Sequence, residues 1–251
     1  MSKNRKDSPL PRVRWPRYGV DAPAFPAVLG AAGAACCLAA GRWRPGRIAL
    51  ATAGTVLIAH TGLYLHTTLH GKLQVWRREL GRAGLKGDEQ FLDLGCGRGA
   101  VLIEAARRLP TGHAVGVDLW SGKDQSGNHP EVTLANAAAA GVADRVEVRT
   151  ADMTELPFAD GSFDVVTSAL AIHNIPSPEE RYRAVDEAMR VLRPGGQLIV
   201  ADFWPMAGKY AEHIRAGHAA WTGPRVLVRR PVARRHASAC RQGALSRLHS
   251  S

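Results

Sequence analysis

The sequence predicts an α/β fold, a doubly wound parallel sheet, behind an N-terminal helical hairpin. Three observations carry this expectation. From residue 88 onward short apolar runs alternate with helical stretches, the first run turns into a glycine-rich loop, and two uncharged apolar stretches of helical length come before it. Strand and helix alternating at this rhythm require parallel strands with helices on both faces.

Residues 1–21 form a basic segment with six lysines and arginines before the first apolar stretch. Residues 22–65 hold two apolar stretches, 22–41 and 48–65, separated by Arg42-Trp43-Arg44-Pro45-Gly46-Arg47. About 20 apolar residues span a bilayer as a helix, and Trp15, Tyr18, Trp43 and Tyr64 fall at the ends, where aromatic belts sit. The first stretch is rich in Ala and Gly, and the second carries His60 and three threonines. Six basic residues precede the pair, three lie between and four follow in 66–82, which predicts a cell-membrane hairpin with both ends in the cytoplasm. A signal peptide cleaved near Ala39-Ala40 and a pair of buried helices are the rival readings. The second apolar run counts against the signal peptide. Residues 66–87, with the amphipathic run LQVWRREL, read as a connector.

Within 88–208 the strand expectations are 90–94, 114–118, 146–149, 164–169 and 197–201, and the helix expectations are 99–109, 130–141 and 178–192. The first strand runs into Asp93-Leu94-Gly95-Cys96-Gly97-Arg98-Gly99-Ala100. Glycines there permit a tight turn and close approach of a ligand at a helix start. The run also satisfies G-x-G-x-x-A, a dinucleotide pattern, but Asp93 at the strand tip favours a ligand carrying a cation over a pyrophosphate. Asp118 ends the second strand 21 residues after Gly97, where an acid can accept from ribose hydroxyls. Asp152 and Met153 follow the third strand, an acceptor for an adenine amino group beside an apolar neighbour for its ring.

The ordered set D-x-G-x-G-x-G, V-D, A-D-M, F-D-V-V and L-R-P-G-G resembles the class I S-adenosylmethionine-dependent methyltransferases over about residues 88–203. The resemblance implies a Rossmann-like sheet and S-adenosylmethionine as cofactor. It implies that Asp93, Gly95, Cys96, Gly97 and Gly99 surround the methionine part, Asp118 with Leu119 the ribose, and Asp152 with Met153 the adenine. Asp118-Leu119-Trp120-Ser121 and the polar loop that follows, 123–131, look like a bacterial subgroup with N-terminal membrane helices.

Methyl transfer from a sulfonium asks mainly for positioning and exclusion of water, and for a base only where the acceptor loses a proton. His173, after the fourth strand, is the candidate base or orienting group; a histidine bonded only to its loop is the plain alternative. No N-P-P-Y signature occurs. The loop 121–129 is a lid or a solvated insertion. A membrane hairpin points to a small-molecule or lipid-like acceptor, with no nucleic acid expected. Cys36, Cys37, Cys96 and Cys240 make neither a disulfide framework nor, with the histidines, a metal site.

The formal charge of +11 divides into +10 for residues 1–82, −7 for 83–208 and +8 for 209–251. The enzyme-like part is therefore acidic, and nucleic-acid binding rests on charge outside it. Residues 209–251 contain eight arginines and one acid, glutamate 212. The resemblance implies a helix and an antiparallel strand pair there. The composition instead suggests a frameshift product or a basic tail, with the last strands missing or scrambled. A noncatalytic or damaged cofactor-binding protein is the alternative function.

Overall fold

The computed structural model describes residues 18–203 and 205–217 and the backbone of Leu227–Arg229. Two long helices come first, α1 (Ala24–Arg42) and α2 (Arg47–His66), packed against each other as a hairpin. They meet where side chains are smallest. A Cβ on Gly33 would fall 3.1 Å from the Gly54 carbonyl, and one on Gly54 only 2.4 Å from the Cys37 sulfur. Such small-residue contacts let backbones approach without a hydrophobic driving force.

The outward faces are apolar and uncovered. Only Pro26, Gly33 and Ala40 are buried in α1 and Gly54 in α2, while Val28, Leu38, Ile48 and Leu63 are exposed. Both helices are long and apolar enough to cross a membrane. Three polar side chains in the middle of α2 bond back within the helix: Thr55 and Thr61 donate to the carbonyls of Ala51 and Leu57, and His60 Nδ1 lies 2.8 Å from that of Val56. Side chains bonded back to the preceding turn expose no unpaired group to an apolar surrounding.

α2 passes without interruption through a π-helical turn, Thr67–Gly71, into α3 (Lys72–Ala83). The predicted connector is thus a structural layer. Trp76, Leu80 and Ala83 of α3 are buried in one core with Phe91, Val101, Ala105 and Leu109.

The globular part follows as β1 (Gln90–Leu94), α4 (Ala100–Ala106), β2 (His113–Asp118), α5 (Pro130–Ala139), β3 (Val146–Thr150), β4 (Phe163–Ala169), α6 (Pro178–Arg190), β5 (Leu192–Ala201), α7 (Met206–Gly217) and β6 (Leu227–Arg229). The sheet order is β3-β2-β1-β4-β5-β6, every pairing parallel. Both faces are covered, one by α3 and α4 and the other by α6 and α7. β1 and β2 therefore read as almost unbroken apolar runs. The order reverses between β1 and β4, and ligands in such sheets bind beyond the strand ends at that switch point.

α4 is shorter than the predicted 99–109, because Arg108 and Leu109 tighten onto the carbonyls of Ala105 and Ala106. β5 starts five residues before the expected 197. Phe163 opposes Leu192 and Val165 opposes Gln197, so the Arg-Pro-Gly-Gly segment bulges out between them. α7 occupies the place of the helix that the resemblance implied. The strand described after it, β6, pairs in parallel with Ile199–Ala201, and among the described residues no antiparallel partner joins it. The rest of 209–251, on which the expectation of a scrambled tail rests, lies outside the described residues.

Candidate active site

The glycine turn closes beyond β1 because two glycines occupy conformations that other residues resist. Gly95 has φ +68°, and a Cβ there would lie 2.2 Å from the Ala171 Cβ. Gly97 has φ +51°, and a Cβ there would lie 2.5 Å from Gln125 Oε1. Every backbone N–H from residue 95 to residue 99 is already used. Gly95 and Cys96 donate to the Val117 carbonyl, Gly97 to Asp118 Oδ2, Arg98 to Gln125 Oε1 and Gly99 to the Cys96 carbonyl. A pyrophosphate binds such turns through free amides, so the dinucleotide reading loses its main anchor.

Two carboxylates flank the turn. Asp93 is 1% exposed, accepting from Thr167 Oγ1 at 2.7 Å and Leu102 N at 3.2 Å. Burial pushes its pKa up to about 7, with these two donors opposing the shift and Asp118 adding to it. Asp118 accepts from Gly97 N at 2.8 Å, Trp120 N at 2.6 Å and Asn128 Nδ2 at 3.0 Å. That last bond fixes the orientation of the Asn128 amide, whose Oδ1 is buried with no partner. An acceptor oxygen left unpaired beside Asp118 suits a ligand hydroxyl.

Asp93, Gly95, Cys96, Gly97, Asp118, Leu119, Asp152 and Met153 line one cavity of about 680 Å³. Gly99, also predicted, stands behind this wall as the left-handed residue that starts α4. Cys96 is 5% exposed, and burial pushes its thiol well above the usual range, so it serves packing. Asp152 Oδ1 accepts from the amide and the hydroxyl of Thr154, and Oδ2 has no partner among the described residues.

His173 does not line the cavity, contrary to its expected catalytic place. It lies in the 3-10 turn Ile172–Asn174, where Ile172 is buried and Asn174 reaches the cavity. Its N–H donates to Asp202 Oδ2, and its ring packs edge-on against Phe203 with centroids 4.7 Å apart. His173 Nδ1 comes within 2.8 Å of Asp202 Oδ1, at an angle too poor for a hydrogen bond. Asp202, 1% exposed, is the member of this pair that lines the cavity.

The loop 121–129 is a clasp. Asp21 and Gln125 form an antiparallel bridge, with Ala22 N bonded to the Asp124 carbonyl and Ser126 N to that of Val20. Asp21 Oδ1 accepts from Gln125 Nε2 and Lys72 Nζ, both at 2.8 Å. Tyr64 OH donates to the Asp21 carbonyl. The loop therefore ties the hairpin root to the glycine turn. Among the described residues the non-glycine positions with positive φ are Ala22, Trp120 and Leu170; Leu170 lines the cavity, and the other two are chain neighbours of the lining residues Asp21, Leu119 and Ser121.

Sequence reasoning missed a further wall, made by Thr67, Gly71, Lys72, Val75, Trp76, Arg78 and Glu79 of the helical rod that continues α2. Helical periodicity in 66–83 marks a buried face but not which ligand space the other face borders. Among the described residues no group of three or more side chains is placed to hold a metal ion.

Residues 92–200 match a family described as a methyltransferase domain. The chain is similar to the ubiquinone/menaquinone biosynthesis C-methyltransferase UbiE of Roseobacter denitrificans, 37% identical over 118 residues, 47% of this chain and 44% of the relative. It is also similar to 27-O-demethylrifamycin SV methyltransferase of Amycolatopsis mediterranei, 39% identical over 126 residues, 50% of this chain and 43% of that one. Demethylmenaquinone methyltransferase of Clavibacter sepedonicus is 36% identical over 134 residues, 53% of this chain and 49% of its own length. The chain spans about half the length of these curated relatives. Parallel topology, the D-x-G-x-G-x-G turn at the switch point and these likenesses agree: residues 92–200 are a class I S-adenosylmethionine-dependent methyltransferase domain.

Proposed function

We propose that the chain is a membrane-anchored methyltransferase, its catalytic domain facing the cytoplasm, that methylates a small or lipid-like acceptor. One observation carries this reading: a single cavity is bordered on one side by the glycine turn and on the other by the rod that continues the second apolar helix. S-adenosylmethionine supplies a methyl group already activated on a sulfonium. The chain then has to align two molecules and keep water away.

The residues fit that cofactor. Asp118 and the unpaired Asn128 Oδ1 offer acceptors to ribose hydroxyls, Leu119 and Met153 apolar surface, and Asp152 Oδ2 an acceptor for the adenine amino group. Asp93 offers the methionine end a carboxylate, with Gly95 and Gly97 keeping the turn free of side chains. The Asp21–Gln125 clasp covers the turn and excludes water from that side. On the acceptor side Asn174 and Asp202 are the polar groups nearest β4 and β5, and His173 acts as a positioning residue through Asp202.

Membrane attachment is supported by the exposed apolar faces of α1 and α2 and by their charge asymmetry. Lys72, Arg77, Arg78 and Arg82 follow the second span, and six basic residues precede the first in the sequence. Basic residues at that boundary favour a cytoplasmic side and attract anionic lipid. Relatives named for ubiquinone, menaquinone and rifamycin substrates support an organic ring as the methylated end.

The test is transfer of labelled methyl from S-adenosylmethionine by the full chain in vesicles supplied with a host lipid extract or a host aqueous extract. Label entering the lipid phase is expected. Efficient labelling of water-soluble molecules with none in lipid would overturn the lipid-like acceptor, and cofactor binding with no transfer to either would favour a noncatalytic protein.

A further inference from the structure

The cavity is open along the rod that continues α2. Thr67, Gly71, Val75 and Arg78 recur at steps of four, four and three residues, so they share one helical face, and all four line the cavity. Thr67, Val75 and Arg78 are also solvent-exposed, which makes this face the rim of an opening. Leu63, one turn earlier on α2, is 61% exposed and continues the same edge onto the apolar span. The rim coincides with the π-helical turn Thr67–Gly71, a rare geometry that recurs at functional sites. Gly71 keeps this turn without a side chain although nothing in the backbone demands it. A Cβ there would meet only Thr67 side-chain carbons, at 3.6 and 3.9 Å.

We propose that the π-helical turn is the tail exit of the acceptor site. The acceptor is then amphipathic: its reacting end lies in the cavity towards Asn174 and Asp202, and an aliphatic or isoprenoid tail leaves past Thr67 and Gly71 onto the apolar surface of α2. This rests on the methyltransferase reading and adds the class of acceptor and its route. The absence of a side chain at Gly71 leaves the passage clear. The neighbouring polar groups are turned away from it: Thr67 Oγ1 donates to the Tyr64 carbonyl, and Lys72 pairs with Asp21. An uncharged tail meets no unpaired polar group at these two positions.

The test uses the full chain in phosphatidylethanolamine–phosphatidylglycerol vesicles and, as probe, a twelve-carbon alcohol bearing a photoreactive diazirine near its end. Sites of labelling are read by mass spectrometry, and cofactor binding is followed by calorimetry. Label concentrated in residues 63–75 and competed by dodecanol but not by ethanol is expected. Gly71→Leu, whose Cβ fits without a clash, should cut that label about tenfold by displacing roughly two methylenes of tail contact. Val75→Phe, on the exposed side of the rim, should cut it in the same direction, and both variants should bind S-adenosylmethionine as the parent does. Label spread evenly along both apolar helices, or unchanged in the two variants while cofactor binding persists, would overturn the exit. Failure of the parent chain to bind S-adenosylmethionine would instead remove the methyltransferase reading beneath it.

Discussion

Asp93→Asn isolates the electrostatic cost carried by the glycine turn. The Asp93 carboxyl holds its proton up to about pH 7, because burial penalises the charge more than Thr167 and Leu102 offset it. The unfolded chain releases the same proton near pH 3.9. Between these values the folded protein binds the extra proton, so stability falls as pH rises through the window and levels off above about 7. Each unit is worth about 1.4 kcal/mol, so between pH 5.5 and 8 this one group removes roughly 2 kcal/mol of stability. Asparagine has the same shape and no such term. It retains an acceptor for only one of the two donors, so its absolute stability shifts at every pH, and the difference in pH slope is the diagnostic quantity. Urea unfolding of parent and variant at pH 5.5 and 8, monitored by near-ultraviolet circular dichroism in the same detergent, measures it. The parent should lose roughly 2 kcal/mol more than the variant over that interval. Equal slopes would show that Asp93 is ionised across the range and that its environment is far more polar than its burial implies.

Two further outcomes follow from the geometry around the turn. Gly97→Ala meets only the flexible end of Gln125 and costs about 1–2 kcal/mol for a left-handed alanine, whereas Gly95→Ala meets the Ala171 Cβ and cannot be accommodated by a rotamer change. Calorimetry should show weakened S-adenosylmethionine binding in the first and none in the second, and equal affinities would refute the packing argument. Asp21→Ala removes the acceptor of Lys72 and Gln125 and should loosen the clasp by about 2 kcal/mol. Hydrogen exchange at the amides of Ala22 and Ser126 should then accelerate by more than tenfold, and unchanged protection would mean the clasp does not depend on that carboxylate.

Most of the sheet was legible because its strands are local signals. The runs at 90–94, 114–118 and 164–169 are apolar, short and bounded by glycine or acid, and they became β1, β2 and β4 with at most one residue of difference at either end. β5 was read short because Pro194, Gly195 and Gly196 signal a turn, and they do form a bulge inside a longer pairing. That Asp93, Gly95, Gly97, Asp118 and Asp152 gather on one cavity was legible for the same reason, since they lie at or just beyond strand ends. The helical wall of that cavity was not. The bond from Gln125 to Asp21 joins residues 104 positions apart, and the π-helical turn has no compositional mark. His173 keeps its expected position after β4, but its attachment to Asp202, 29 residues away, has no mark in the sequence.

The hairpin root and the cavity have one orientation because they share backbone. α1 begins and α2 ends at the same end of the hairpin, and the Trp43–Gly46 connection lies at the other. At the root, Asp21 is held from three directions, by Tyr64 at the end of α2, Lys72 at the start of α3 and Gln125 in the loop over the glycine turn. A flexible linker would leave the domain free to turn on its anchor; here an unbroken helix and a strand-like bridge both cross the junction. Helices of this length run roughly 30 Å at 1.5 Å per residue, so in the proposed membrane-anchored arrangement the first residues past the apolar span fall at the bilayer surface. Thr67 is the first residue after α2 and also the first on the cavity rim. In the proposed membrane-anchored arrangement, helix continuity turns this opening towards the bilayer, so that an acceptor held there reaches the cavity without crossing water.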